Sequence, residues 1–150
     1  MTSGYSGTPL AKKLGIKQGQ RVVMINAPDG FEEALEELPE NVRLLHHAAR
    51  TAADACEMII AFVTTREDLA LLIAELVPAL LPDGSFWVAW PKKTSGVTTD
   101  MTEDRVRDVG LPTGMVDNKV CAIDETWSGL RLVVRRENRA GWPGAFRRPV

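Results

Sequence analysis

Apolar positions along this 150-residue chain fall into short continuous runs that alternate with stretches of helical period. Arg21-Val22-Val23-Met24-Ile25-Asn26, rich in β-branched residues and entered just after Gly19, reads as a buried strand, and Met58-Ile59-Ile60-Ala61-Phe62-Val63 reads the same way. Val42–His46 and Ser85–Trp90 are two further strand candidates. Between the strands, Phe31, Leu35 and Leu38 recur at i, i+4 and i+7, which predicts a helix over 31–38 with acids crowding its first turns. Leu69, Leu72, Ile73, Leu76 and Leu80 predict another, opened by Thr65 with Asp68 three residues on. Thr8-Pro9 reads as the N-cap and first residue of a short helix through Leu14, with Gly15 as its left-handed stop. Ala48–Ala55 reads as a small Ala-rich helix, and Asp100 with Glu103 as a capping box opening a helix through about Val109. Pro82-Asp83-Gly84 reads as a turn, and Val120–Glu125 with Leu130–Arg135 as an antiparallel hairpin about Thr126–Gly129.

Strands that alternate with helices call for an α/β fold: a Rossmann-like, mainly parallel sheet with helices on both faces, closed by a C-terminal antiparallel hairpin. No internal repeat is visible, which excludes solenoids and propellers. The division expected is a flexible lead over 1–7, one Rossmann-like domain over 8–136 and a basic C-terminal tail over 137–150. At 45% hydrophobic residues the chain can bury a single core of ordinary size. A formal charge of −2 argues against wholesale coating of nucleic acid. Cys56 and Cys121 share no metal-type spacing, no basic-then-apolar leader opens the chain, and no apolar stretch is long enough to span a bilayer. These features predict a reduced, cytoplasmic protein.

Charge is nonetheless uneven. Segment 29–40 carries six acids and no base, whereas 131–150 carries six arginines against Glu137 alone. Solvated faces are the plain reading of both. The sharper reading makes the tail a docking strip for RNA or an acidic partner, with Trp142 and Phe146 as stacking residues.

Four crossover strands ending in a hairpin, with Leu80-Leu81-Pro82-Asp83-Gly84-Ser85-Phe86-Trp87-Val88 as a helix-turn-strand line, resemble the Rossmann-like methyltransferase architecture with one strand missing. Three stretches carry a second resemblance: Tyr5–Lys17, Trp90-Pro91-Lys92-Lys93-Thr94-Ser95-Gly96-Val97, and Val116–Asp124 with Trp127–Leu132. In that order they are similar to a bacterial family known as domain of unknown function 3052, from about residue 4 to residue 136. The resemblance implies no particular reaction, substrate or catalytic residue.

Ligands of open α/β sheets bind outside the carboxyl ends of the parallel strands, so the loops there are where chemistry is sought. After the first strand, Asn26-Ala27-Pro28-Asp29-Gly30-Phe31 stands where a nucleotide site would place a glycine-rich turn, but only Gly30 is present and Pro28 lacks an N–H. After the second, His46-His47 replaces the acid that would bind ribose. Adjacent strand residues point to opposite faces, so the two histidines do not share a metal ion, and no metal or other cofactor is assigned. Lys92-Lys93-Thr94-Ser95-Gly96 offers two ammonium groups, two hydroxyls and a flexible glycine, the makings of an anion site, to which Arg66 adds a planar donor fork. Asp124 is a candidate for a general base or a partner for Lys92, and Trp127 for a pocket wall. Cys121 reads as core. Together with Asn26, these residues make up the expected ligand corner. The reading that follows is a non-catalytic or regulatory domain that binds a small anionic ligand, a protein partner or further copies of itself. Its alternatives are a small enzyme acting on a phosphorylated or nucleotide-like substrate, a divergent S-adenosylmethionine-dependent methyltransferase, and a scaffold working through its basic tail.

Overall fold

The computed structural model describes residues 8–46 and 55–143. Its elements are α1 (Leu10–Leu14), β1 (Arg21–Ile25), α2 (Phe31–Ala34), β2 (Arg43–His46), β3 (Cys56–Phe62), α3 (Arg66–Leu76), β4 (Leu80–Pro91), α4 (Glu103–Gly110), β5 (Met115–Ala122) and β6 (Trp127–Val134). The six strands form one sheet in the order β2-β1-β3-β4-β6-β5. β2, β1, β3 and β4 are mutually parallel, and β6 runs antiparallel to both β4 and β5. The expected fold class is the one observed. The expected Ala48–Ala55 helix apart from Ala55, together with His47, Tyr5 and Phe146, lies outside the described residues.

The continuous apolar runs are explained by burial of both faces. On one, Val23, Ile25, Ile59, Ala61, Phe86 and Val88 pack under α3 and α4; on the other, Val22, Met24, Met58, Ile60 and Trp87 pack under α1 and α2. Successive strand residues alternate between the two cores, so the central strands β1, β3 and β4 carry continuous apolar runs rather than an apolar residue at every second position. Trp87 ties α1 down by donating its indole N–H to the Leu14 carbonyl at 2.8 Å.

Several boundaries differ from expectation for local reasons. The predicted 31–38 helix is a single turn: Leu35 caps it and Glu36 takes a left-handed conformation at φ 57°. Its unrelieved acids repel at i, i+4 spacing, and those toward its end oppose the helix dipole. Pro82-Asp83-Gly84 is not a turn between helix and strand: β4 already begins at Leu80, the last residue of the expected helix, and the segment bulges within it, where the register moves from Cys56↔Leu80 to Met58↔Ser85, two residues on one strand against five on the other. Pro9, not Thr8, is the N-cap of α1. The cap of α4 is Thr102, whose hydroxyl accepts from the Arg105 N–H, because the Asp100 carboxylate is engaged elsewhere. β5 begins at Met115, five residues before the predicted Val120.

Trp142 corrects the division of the chain. Its indole is 4% exposed in the α3/α4 core and donates to the Leu80 carbonyl at 3.1 Å. Asn138 Nδ2 and Arg139 Nε donate to the Gly114 and Val134 carbonyls. The packed domain thus runs through Trp142 instead of stopping near residue 136, and Trp142 is not available as a stacking residue on a tail.

Candidate functional site

Because β1, β3 and β4 are parallel, the chain leaves all three at one rim, and Asn26, Val63 and Lys92 follow the strand ends there. The strand order reverses at β1, whose neighbours β2 and β3 are reached by crossovers in opposite directions, so the crevice expected of a doubly wound sheet opens beside it.

A cavity of about 490 Å³ lies at the same rim on the β2 side of β1, lined by Met24, the loop Asn26–Gly30, Phe31, Glu32, Glu33 and His46. Its volume lies within the few hundred to about 1,000 Å³ that small-molecule sites occupy. The loop shapes one wall: Asn26 and Gly30 are left-handed at φ 57° and 86°, and the Pro28 carbonyl accepts from the Phe31 N–H at 3.1 Å. The turn of α2 then buries Phe31 in the core and presents Glu32 and Glu33 to the cavity. His46, at the end of β2 and paired in register with Met24, closes the opposite side, its Nε2 2.5 Å from Glu32 Oε1. Three carboxylates and one imidazole therefore share the lining, and the site is acidic. Behind it, Phe31 meets Phe62 edge-on at 4.9 Å between ring centres, and Phe62 meets Trp127 at 5.1 Å, an aromatic relay from cavity wall to the start of β6.

The residues expected to form an anion site sit on the same rim, and several of them make bonds within the chain. Lys92 Nζ donates to the Asp124 main-chain carbonyl at 2.7 Å, and the Lys92 N–H to the Thr126 carbonyl. The expected pairing of these residues is thus made by the Asp124 main chain; its carboxylate Oδ1 accepts from the Thr126 and Trp127 N–H groups at 2.8 and 2.7 Å and holds the β5–β6 turn. Lys93, Thr94 and Ser95 form a 3₁₀ turn, with Lys93 and Thr94 exposed and Ser95 Oγ accepting from the Val97 N–H. Arg66 is the first residue of α3, and its N–H is already taken by Asp100 Oδ1 at 2.8 Å, so the chain supplies its own anion at that helix start. Of the expected residues, only Asn26 lines the cavity; Trp127 touches Phe62, which in turn touches the lining residue Phe31. Glu32, Glu33 and His46 were not assigned to a ligand site from sequence. The available signal was six acids directly after the first strand, a run that also fits a solvated face.

Among the described residues no group of three histidine, cysteine, aspartate or glutamate side chains is placed to hold a metal ion, and no helix is long and apolar enough to cross a membrane.

The sheet order, the two helical layers and the closing hairpin define a Rossmann-like domain with a methyltransferase-like fold and a shortened sheet. Comparison with solved structures bears this out. An S-adenosylmethionine-dependent methyltransferase from Aquifex aeolicus is 14% identical at a TM-score of 0.60, with 83% of this chain and 88% of that one covered. The ribosomal protein L11 methylase of Lactobacillus delbrueckii subsp. bulgaricus is 13% identical at 0.58, with 85% and 75% covered. Aeropyrum pernix fibrillarin, solved with natively bound S-adenosylmethionine, is 15% identical at 0.52, with 87% and 70% covered. At these identities the likeness is one of fold. No family model and no curated protein matches the chain.

Proposed function

We propose that this chain binds a small, hydroxyl-bearing, positively charged nucleoside of the S-adenosylmethionine class in the cavity between β1, β2 and α2. The observation that carries the reading is the acidic lining of a ligand-sized cavity at the strand ends, with Asp29, Glu32 and Glu33 around it. Carboxylates accept hydrogen bonds from ribose hydroxyls and attract a sulfonium or ammonium group; they repel phosphate. The acid that a dinucleotide-binding fold places after its second strand is supplied here from α2, with His46 holding Glu32 across the gap. The donor set fits the nucleoside better than the methionine carboxylate, since Pro28 has no N–H to offer. Fold relatives that carry S-adenosylmethionine support the class of ligand. Membership of the domain of unknown function 3052 family belongs to the same proposal and rests on the three sequence stretches.

Calorimetric titration tests the reading. S-adenosylmethionine and S-adenosylhomocysteine are expected to bind, and Glu32→Gln is expected to weaken binding at least about tenfold, equivalent to about 1.4 kcal/mol. Lys92→Ala with Lys93→Ala is expected to leave affinity unchanged. Binding of inorganic phosphate or adenosine triphosphate that disappears in the lysine double variant, with no binding of either sulfur nucleoside, would overturn the reading in favour of the Lys92–Ser95 corner.

A further inference from the structure

The sheet face that carries α1 and α2 is divided electrically. Residues 8–28, which include α1, contain no acid, and residues 29–40, which include α2, contain no base. Lys12, Lys17 and Lys119 are exposed on the α1 half, Lys119 being placed there by its Nζ bond to the Lys13 carbonyl at 2.6 Å. Glu36, Glu37 and Glu40 are exposed on the α2 half. Where the halves meet runs a groove of about 370 Å³ with Pro9, Leu38 and Pro39 along it over a floor of buried Ala11 and Ile16, Lys12 and Lys17 on one bank and Glu37 on the other.

We propose that this face is an interface between two copies of the chain, related by a two-fold axis through the groove. A two-fold rotation exchanges the halves, so a face that is positive on one side and negative on the other is complementary to itself. The lysines of each copy then meet the α2 carboxylates of the other, while the two apolar seams meet at the axis. An apolar centre with a charged rim is the usual anatomy of a protein interface. A face that served solubility alone would mix the two signs instead of separating them across an apolar seam. Charge complementarity of this kind sets register and encounter rate, and it makes association sensitive to salt. Glu36, Glu37 and Glu40 do not line the ligand cavity, so the interface and the proposed nucleoside site are separable.

Sedimentation equilibrium of the full chain tests the proposal. At about 0.01 M salt, where screening extends about 30 Å, twice the monomer mass is expected, falling to the monomer mass at about 1 M salt, where it extends about 3 Å. Lys12→Glu with Lys17→Glu, and Glu36→Lys with Glu37→Lys and Glu40→Lys, are each expected to be monomeric. Their equimolar mixture is expected to be dimeric, because one variant then carries two acidic halves and the other two basic halves. A wild-type monomer at low salt overturns the proposal. So does a dimer that either reversal leaves intact, or a mixture that stays monomeric while both variants keep the wild-type circular dichroism. If a reversed variant fails to fold, Glu36→Gln with Glu37→Gln and Glu40→Gln replaces it and is expected to weaken association at least about tenfold; unchanged association overturns the proposal.

Discussion

Gly84 sits inside the β4 bulge, where a Cβ would lie 2.6 Å from the Glu57 carbonyl oxygen of the neighbouring strand. That oxygen is backbone and has little room to yield, so Gly84→Ala is expected to lower the unfolding free energy by about 1–3 kcal/mol in urea titration. Gly110→Ala is expected to cost less, because its closest neighbour is the end of the Leu132 side chain, which can turn away. The sequence marks Gly84 as a turn residue. Its true requirement, the approach of a second strand, is a contact between segments distant along the chain and leaves no local pattern. Arg131 is a second such residue: its Nε is buried without a hydrogen-bond partner and burial lowers its guanidinium from the usual range. Arg131→Met should therefore leave stability unchanged or raise it, since the replacement keeps the stem and removes the unsatisfied group. Cys121 gives a pH dependence. Burial outweighs the nearby Lys13 and Lys119 and pushes its thiol above the ordinary value. The unfolded thiol ionises near pH 8.5. Stability from the neutral folded thiol is thus complete below about pH 8.5 and is lost as pH climbs through the higher folded value. Cys121→Ala is expected to flatten that alkaline decline in denaturation curves.

The start of α3 shows how an element is fixed by two residues of different range. Thr65 Oγ1 accepts from the Asp68 N–H at 3.1 Å, a local cap legible from the spacing alone. Asp100 Oδ1 accepts from the Arg66 N–H across 34 residues, and the same loop returns Thr99 Oγ1 and the Asp100 N–H to the Thr64 carbonyl. Thr65→Ala is expected to cost about 1 kcal/mol. Asp100→Ala should additionally speed amide exchange through both the first turn of α3 and the 96–101 loop, which a purely local cap would not do. Asp100 followed by Glu103 imitates a capping box, so sequence reading places the cap of α4 two residues early; the carboxylate's real partner is invisible until the strands bring α3 and the loop together. The cavity has the same character. Its acids are plain in the sequence, but their grouping with His46 depends on β2 lying beside β1 and on α2 ending after one turn.

At the level of the molecule, topology was the most legible part, because two-sided burial writes each central strand as an unbroken apolar run and each crossover as a helical period. The edges were less so: β5 is half exposed, and its polar positions hide its first five residues. The C-terminal boundary is hidden in the sequence because arginines dominate the composition after residue 134, while one tryptophan decides the packing. Trp142→Ala is expected to destabilise the domain by about 3–5 kcal/mol, and removal of 137–150 by at least as much, measured by chemical denaturation. A tension transmitted to residue 142, by an unfolding motor or a force probe, would load a packed side chain directly. The indole is hooked beneath Leu80 at the root of β4, so rupture at that point would be a breach of the α3/α4 core.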